Sequence, residues 1–186
     1  MTGDRNGYVH MLTPEWGTEA PGWPVKTSSE PSQVLFSGDL GLAAAVSGAE
    51  VCLWSPVGEP LQGWPLRFDY PVIGICVVPD PDLPGIAVTT SDGSLACYDL
   101  QGKALFAGGH VHPGGEDISK PVSSDFDRDG VLEIAVTSRG YVWCYDGEGG
   151  IEPGFPAKVP GSVLGGLFPA DLDGNGFLEL VVETST

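Results

Sequence analysis

The sequence predicts an all-β protein built of repeated four-stranded blades, a β-propeller, on three observations. A nine-residue acidic stretch, Asp125–Glu133, recurs 46 residues later at Asp171–Glu179, both reading D-x-D-x-[DN]-G-x-x-E. Around it the chain repeats about every 41–46 residues as strand, acidic loop, strand, Gly-led hairpin, strand, turn and a short Gly-aromatic-Pro tail. Strand-sized apolar runs alternate with turn signals throughout, and no 12-residue stretch keeps a helical period.

Taken in order, the first piece has a strand at Gly7–Leu12, a turn through Thr13–Gly17 and the tail Gly22-Trp23-Pro24. The second has strands at Leu42–Val46 and Glu50–Trp54, a turn at Ser55–Glu59 and the tail Gly63-Trp64-Pro65. The third runs through Ile73–Val78, Ile86–Thr90 and Ser94–Tyr98 to a turn at Asp99–Lys103, with His110-Val111-His112 standing where its tail is expected. The fourth passes through the first acidic loop to Tyr141–Tyr145, turns at Asp146–Gly150 and ends in Gly154-Phe155-Pro156. A last stretch from Val163 carries the second acidic loop and one strand after it.

This gives a single domain, 1–186, with pieces near 34–68, 72–112 and 119–159, and a terminal blade shared between 163–186 and 7–30. The C-terminal stretch supplies the first two strands of that blade and the N-terminus the last two, which would remove a sheet edge by closure. Four blade-equivalents result. A closed four-bladed ring, half of an eight-bladed ring made by a homodimer, and an excised part of a larger propeller all satisfy that count.

Positions shared between blades show what each side chain is for. Cys97 and Cys144 align with Leu53 and Met11, so these thiols are expected as small core hydrophobes rather than disulfide or metal partners. Trp54, Tyr98 and Tyr145 share one blade position, and Trp23, Trp64 and Phe155 another; both sets are expected to pack within and between blades. Trp16 has no counterpart and is the best single candidate for an exposed contact.

The acidic loops point to a hard cation. Alternating oxygen-bearing side chains, a glycine for the turn and a closing glutamate suit Ca²⁺, which takes six to eight oxygens in flexible geometry. The closing residue falls at position 9 and strands follow, so these are β-hairpin loops and not EF-hands. The expected ligands are Asp125, Asp127, Asp129 and Glu133 with the Val131 carbonyl, and Asp171, Asp173, Asn175 and Glu179 with the Phe177 carbonyl. The two Ca²⁺ sites are expected to act independently.

The formal net charge of −17 makes nucleic acid and anionic membrane poor partners. No segment has the length of a membrane span, and the N-terminus has no apolar signal core. A cytoplasmic chain and a mature or excised piece of an exported one both fit, with filling of the loops by extracellular calcium favouring an extracellular, periplasmic or cell-surface setting.

On Asp125–Ile134, Asp171–Leu180 and the tails at Trp23, Trp64 and Phe155, the chain resembles the FG-GAP/VCBS repeats, the calcium-loop propeller repeats found in integrin α-subunit heads. The Phe-Gly and Gly-Ala-Pro signatures that name the family are missing, and the loops at Asp80–Gly85 and Asp39–Gly41 are degenerate. The resemblance implies a non-catalytic scaffold or binding module for protein or glycan ligands.

Two alternatives stand beside it: a polysaccharide-active enzyme with its site at the propeller channel, and an architectural half-propeller that self-assembles. No nucleophile elbow, phosphate loop or Cys/His pair supports catalysis, and Glu50 and Glu116 are carboxylates outside the loops without a partner motif. His110 and His112 share one face of an extended segment at a spacing able to hold Zn²⁺; a flexible loop is the competing expectation. His10 reads as a structural strand histidine.

Overall fold

A computed structural model describes residues 1–185; Thr186, the last residue of the final piece, lies outside the described residues. Among them every regular element is a β-strand. Among the described residues no helix is long and apolar enough to cross a membrane.

The chain forms two compact units: Met1–Val72 with Leu100–Gly102, and Ile73–Asp99 with the chain from Lys103 onward. In the first, β1 (Thr2–Gly3), β2 (Tyr8–His10) and β3 (Val25–Lys26) make a three-stranded sheet. Beside it in sequence, β4 (Gln33–Ser37), β5 (Leu42–Ser47), β6 (Glu50–Trp54) and β7 (Leu66–Arg67) make a four-stranded antiparallel meander. The second unit contains a sheet of β8 (Val72–Val78), β9 (Gly85–Thr90) and β10 (Leu95–Asp99). It also contains the four-stranded β11 (Val122–Ser124), β12 (Glu133–Ser138), β13 (Tyr141–Tyr145) and β14 (Ala157–Lys158), and the pair β15 (Ser162–Ala170) and β16 (Glu179–Ser185). These are the blade-like sheets that the repeat predicts.

The second strand of each full blade is its core. β5, β9 and β12 are buried at all six positions, because both faces of the sheet are covered. Such strands read as continuous apolar runs rather than as alternation. Ala44, Ala87 and Ala135 lie opposite Leu53, Cys97 and Cys144 in the ladder, so the alignment of the two thiols with Leu53 holds in space. Cys52, Cys97 and Cys144 are buried, and all four thiols are free. Burial pushes the Cys97 and Cys144 thiols up to about 12. Trp54, Tyr98 and Tyr145 likewise share one register, opposite Ala43, Ile86 and Ile134.

The tails at Trp23 and Trp64 grip the turn of the following repeat. Trp23 Nε1 donates to the Pro56 carbonyl at 3.0 Å, and Trp64 Nε1 to the Leu100 carbonyl at 3.1 Å. Gly22 and Gly63 adopt φ of +82° and +87°, and a β-carbon on either would collide with the carbonyl of Val57 or Gln101. Leu100–Gly102 groups with the first unit through this contact. The tail bonds Trp23–Pro24, Trp64–Pro65 and Phe155–Pro156 are cis. Trp23 also meets Trp54 edge-on, ring centroids 6.1 Å apart.

One sequence expectation needs correction. The N-terminal piece is expected to supply only two strands, but Thr2–Gly3 adds β1, paired to Val9 and His10. His110–His112 does stand at the tail's place, with Val111 bridging Leu95 as the fourth strand, while the packing on the next turn that Trp23 and Trp64 supply elsewhere falls to Phe106, 3% exposed. The Phe106 ring packs on Gly149, and Ala107 N–H donates to the Glu148 carbonyl at 3.2 Å.

Outside the loops, buried side-chain polar atoms among the described residues have partners. His10 lies between Glu19 (2.6 Å) and Asp4 (3.3 Å), and these two carboxylates hold its imidazole above the ordinary histidine range. Buried Glu50 meets Arg67 Nε at 2.8 Å across β6 and β7. Burial drives the Glu50 carboxyl up, but hydrogen bonds from Arg67, Cys52 and Ser28 outweigh it and hold the group below the usual carboxylate range. Trp16 is 79% exposed.

Candidate metal centre

Each acidic loop joins the first strand of a sheet to the second: Asp125–Leu132 lies between β11 and β12, and Asp171–Leu178 between β15 and β16. Short side chains here fold the loop by capping its own backbone, as Asx turns do. Phe126 N–H donates to Glu133 Oε2 (2.7 Å), Gly130 N–H to Asp125 Oδ2 (3.2 Å), Asp129 N–H to Asp127 Oδ1 (3.1 Å) and Val131 N–H to Asp129 Oδ1 (2.8 Å).

The second loop repeats all four bonds. Leu172 donates to Glu179 (2.8 Å), Gly176 to Asp171 (2.9 Å), Asn175 to Asp173 (3.0 Å) and Phe177 to Asn175 (2.7 Å). A shared bonding pattern across two different sequences means that the motif positions, not the intervening side chains, set the loop conformation.

The result is a convergence of acid. Oxygens of Asp125, Asp127 and Glu133 lie within 4.8 Å of one another, as do those of Asp171, Asp173 and Glu179. Uncompensated, three carboxylates at that separation repel. Glu133 shows the strain most clearly. It is 3% exposed, and burial, with the Asp127, Glu152 and Asp125 charges adding, pushes its carboxyl up to about 7 against the opposing Phe126 N–H.

Asp125 Oδ1 is buried with no hydrogen-bond partner. An orphaned carboxylate oxygen in a buried place is costly unless a cation meets it. The donor set is all oxygen and mostly anionic, so the residues present fit a hard divalent cation. The expected ligands Asp129 and Asn175 border these groups in each loop, with Oδ1 engaged by the backbone two residues on.

The degenerate loop keeps only a vestige of this arrangement. Asp80 Oδ1 accepts from Asp82 N–H (2.9 Å) and Leu83 N–H (2.8 Å), but among the described residues no group of three metal-ligating side chains gathers there. His110 and His112 meet edge-on with ring centroids 4.8 Å apart, exposed, and belong to no such group either.

Beside the first loop is a cleft of about 490 Å³ whose lining includes Asp80, Asp82, Asp129, Asp146, Glu148 and Glu152. Sequence reading treats these carboxylates separately; three of its segments, 80–83, 129–134 and 146–148, come together only in the fold.

Comparison with known proteins agrees with this architecture. Residues 125–182, which span both acidic loops, match the FG-GAP-like repeat family. No curated protein matches the chain by sequence. Among solved structures, BBS1N in complex with ARL6DN, soaked with mercury, is similar with a TM-score of 0.70 at 14% identity, over 98% of this chain and 56% of that one. The lead-soaked crystal gives 0.67 at 15% identity, over 98% and 53%. The chain thus spans about half the length of those neighbours, and the likeness at such identity is one of fold. The chain has the β-propeller fold and carries, over residues 125–182, an FG-GAP-like repeat.

Proposed function

We propose that this protein is a calcium-stabilised β-propeller module that binds a protein partner. The observation that supports the calcium reading best is the twice-built convergence of three carboxylates, with the orphaned oxygen of Asp125 inside the first. Asp125, Asp127, Asp129 and Glu133 with the Val131 carbonyl would hold one ion. Asp171, Asp173, Asn175 and Glu179 with the Phe177 carbonyl would hold the other. Bound calcium supplies charge compensation and a fixed loop conformation; the protein's residues supply the surface.

Calcium loops of this flexible oxygen type suit the high free calcium outside the cytosol, and we place the module there. The acidic cleft beside the first loop favours a partner with a basic contact surface. BBS1N, of like fold, has been crystallised with a protein partner; a role in protein contact is proposed here on the cleft. Isothermal titration is expected to give two calcium ions per chain, and none with Asp125→Asn and Asp171→Asn combined. Heat corresponding to no ion in the unaltered protein would defeat the reading.

A second reading, self-assembly, is favoured by one feature. Among the described residues β16 pairs only with β15, and this two-stranded sheet presents Phe168 (61% exposed) opposite Val181 (36%), with Leu164 at 63%. An unpaired strand edge with apolar neighbours invites strand addition from a second copy. Light scattering in millimolar calcium is then expected to give twice 19.4 kDa; a monomer at high concentration excludes it.

A further inference from the structure

The fourth position of each acidic loop must take a left-handed backbone. In the second loop Gly174 does so at φ +74°, without steric penalty. In the first loop the same place is Arg128, at φ +66°. Only Arg139 shares this conformation among the described non-glycine residues. A β-carbon there is strained, so the arginine calls for a reason that the first loop by itself does not provide.

Its side chain gives one. The Arg128 guanidinium lies over the Phe177 ring, 4.6 Å from the centroid. It also fills the space beside Gly176, where a β-carbon would collide with it. Phe177 and Gly176 are the residues whose N–H groups orient Asn175 Oδ1 (2.7 Å) and Asp171 Oδ2 (2.9 Å). Arg128 therefore rests on the segment of backbone that aims two oxygens of the second loop. It makes no ion pair with a loop carboxylate among the described residues, so it does not occupy the oxygens that a cation would need.

We propose that Arg128 is a positioning residue for the second loop, clasping the two loops so that a cation in one tightens binding in the other. This rests on the calcium reading above and revises the expectation of independent sites. Arg128 lies between Asp127 and Asp129, so closing the first loop on a cation fixes the direction of its side chain. An exposed cation–π contact is weak beside the strain of a left-handed L-residue. The caps of the first loop hold Arg128 at its left-handed φ; a cation in that loop adds to them and steadies the clasp, and its loss is expected to loosen the contact. The coupling is reciprocal by linkage. The size of one exposed cation–π contact sets the expected factor at about threefold.

The test is a cycle of calcium titrations on the full chain. Asp127→Asn disables the first loop, and the remaining affinity at the second is expected to fall about threefold relative to its value with the first loop filled. In an Arg128→Gly background, which keeps the backbone free to adopt its φ, the same Asp127→Asn change is expected to lack that fall of about threefold. Any long-range effect of the lost charge is common to both backgrounds and cancels. Two ions bound with equal sensitivity to Asp127→Asn in both backgrounds would overturn the clasp and leave the calcium reading standing. Absence of any binding in the unaltered protein overturns both.

Discussion

Excess chelator is expected to lower the thermal midpoint of the calcium-saturated protein by about 10–20 °C. A ligand that binds only the folded state stabilises it by about 2.7 kcal/mol per site at a hundredfold excess over Kd. Two sites therefore contribute about 5 kcal/mol, a large part of the stability of an ordinary domain. For a chain of this size each kcal/mol moves the midpoint by about 2–4 °C. The geometry explains why the loss falls on folding rather than on a loose surface loop. Glu133 is both the closing loop residue and the first residue of β12, a strand buried at every position. Removing the cation leaves buried Glu133 facing the buried Oδ1 of half-buried Asp125, the two repelling at the edge of the core. Calorimetry with and without chelator measures the shift, and an unchanged midpoint would show that the carboxylates fold without a cation.

Gly63→Ala is expected to cost about 3–5 kcal/mol, combining the strain of a left-handed L-residue with overpacking against rigid backbone. The atom in the way is the Gln101 carbonyl, not the end of a flexible side chain. Relief would therefore have to come from moving the tail, which would also break the Trp64 Nε1 bond to Leu100. Gly17→Ala separates the two terms. Gly17 has φ +62° with nothing near its absent β-carbon, so it should show only the conformational part, about 1–2 kcal/mol. Urea unfolding of the two variants reads the difference directly. Equal losses would mean that the tail contact contributes nothing.

The parts of this fold that were legible in the sequence are those where one physical constraint recurs at one spacing. The acidic loops repeat because cation geometry demands the same oxygens in the same order, and the four backbone caps repeat with them. The Trp23 and Trp64 tails repeat because glycine is required where backbone meets backbone. Phe106 carries no sequence mark because it performs the same packing without the glycine and proline of the other tails; only its burial against Gly149 reveals it. β1 is invisible in the sequence because a two-residue strand has no periodicity to read. The Arg128–Phe177 contact joins residues 49 apart that belong to different repeats, and repeat alignment compares such residues without bringing them together. The acidic cleft is hidden for the same reason.

The buried thiols turn out to be silent chemistry. Cys52, Cys97 and Cys144 lie in three different sheets, each with a pKa pushed to about 12 by burial. At neutral pH such groups offer almost no thiolate to an alkylating reagent. Each becomes reactive only when its own sheet opens, so the chain contains three native clocks for local unfolding. Reagent uptake at each cysteine would time the opening of one blade separately from its neighbours, without a label having to be introduced.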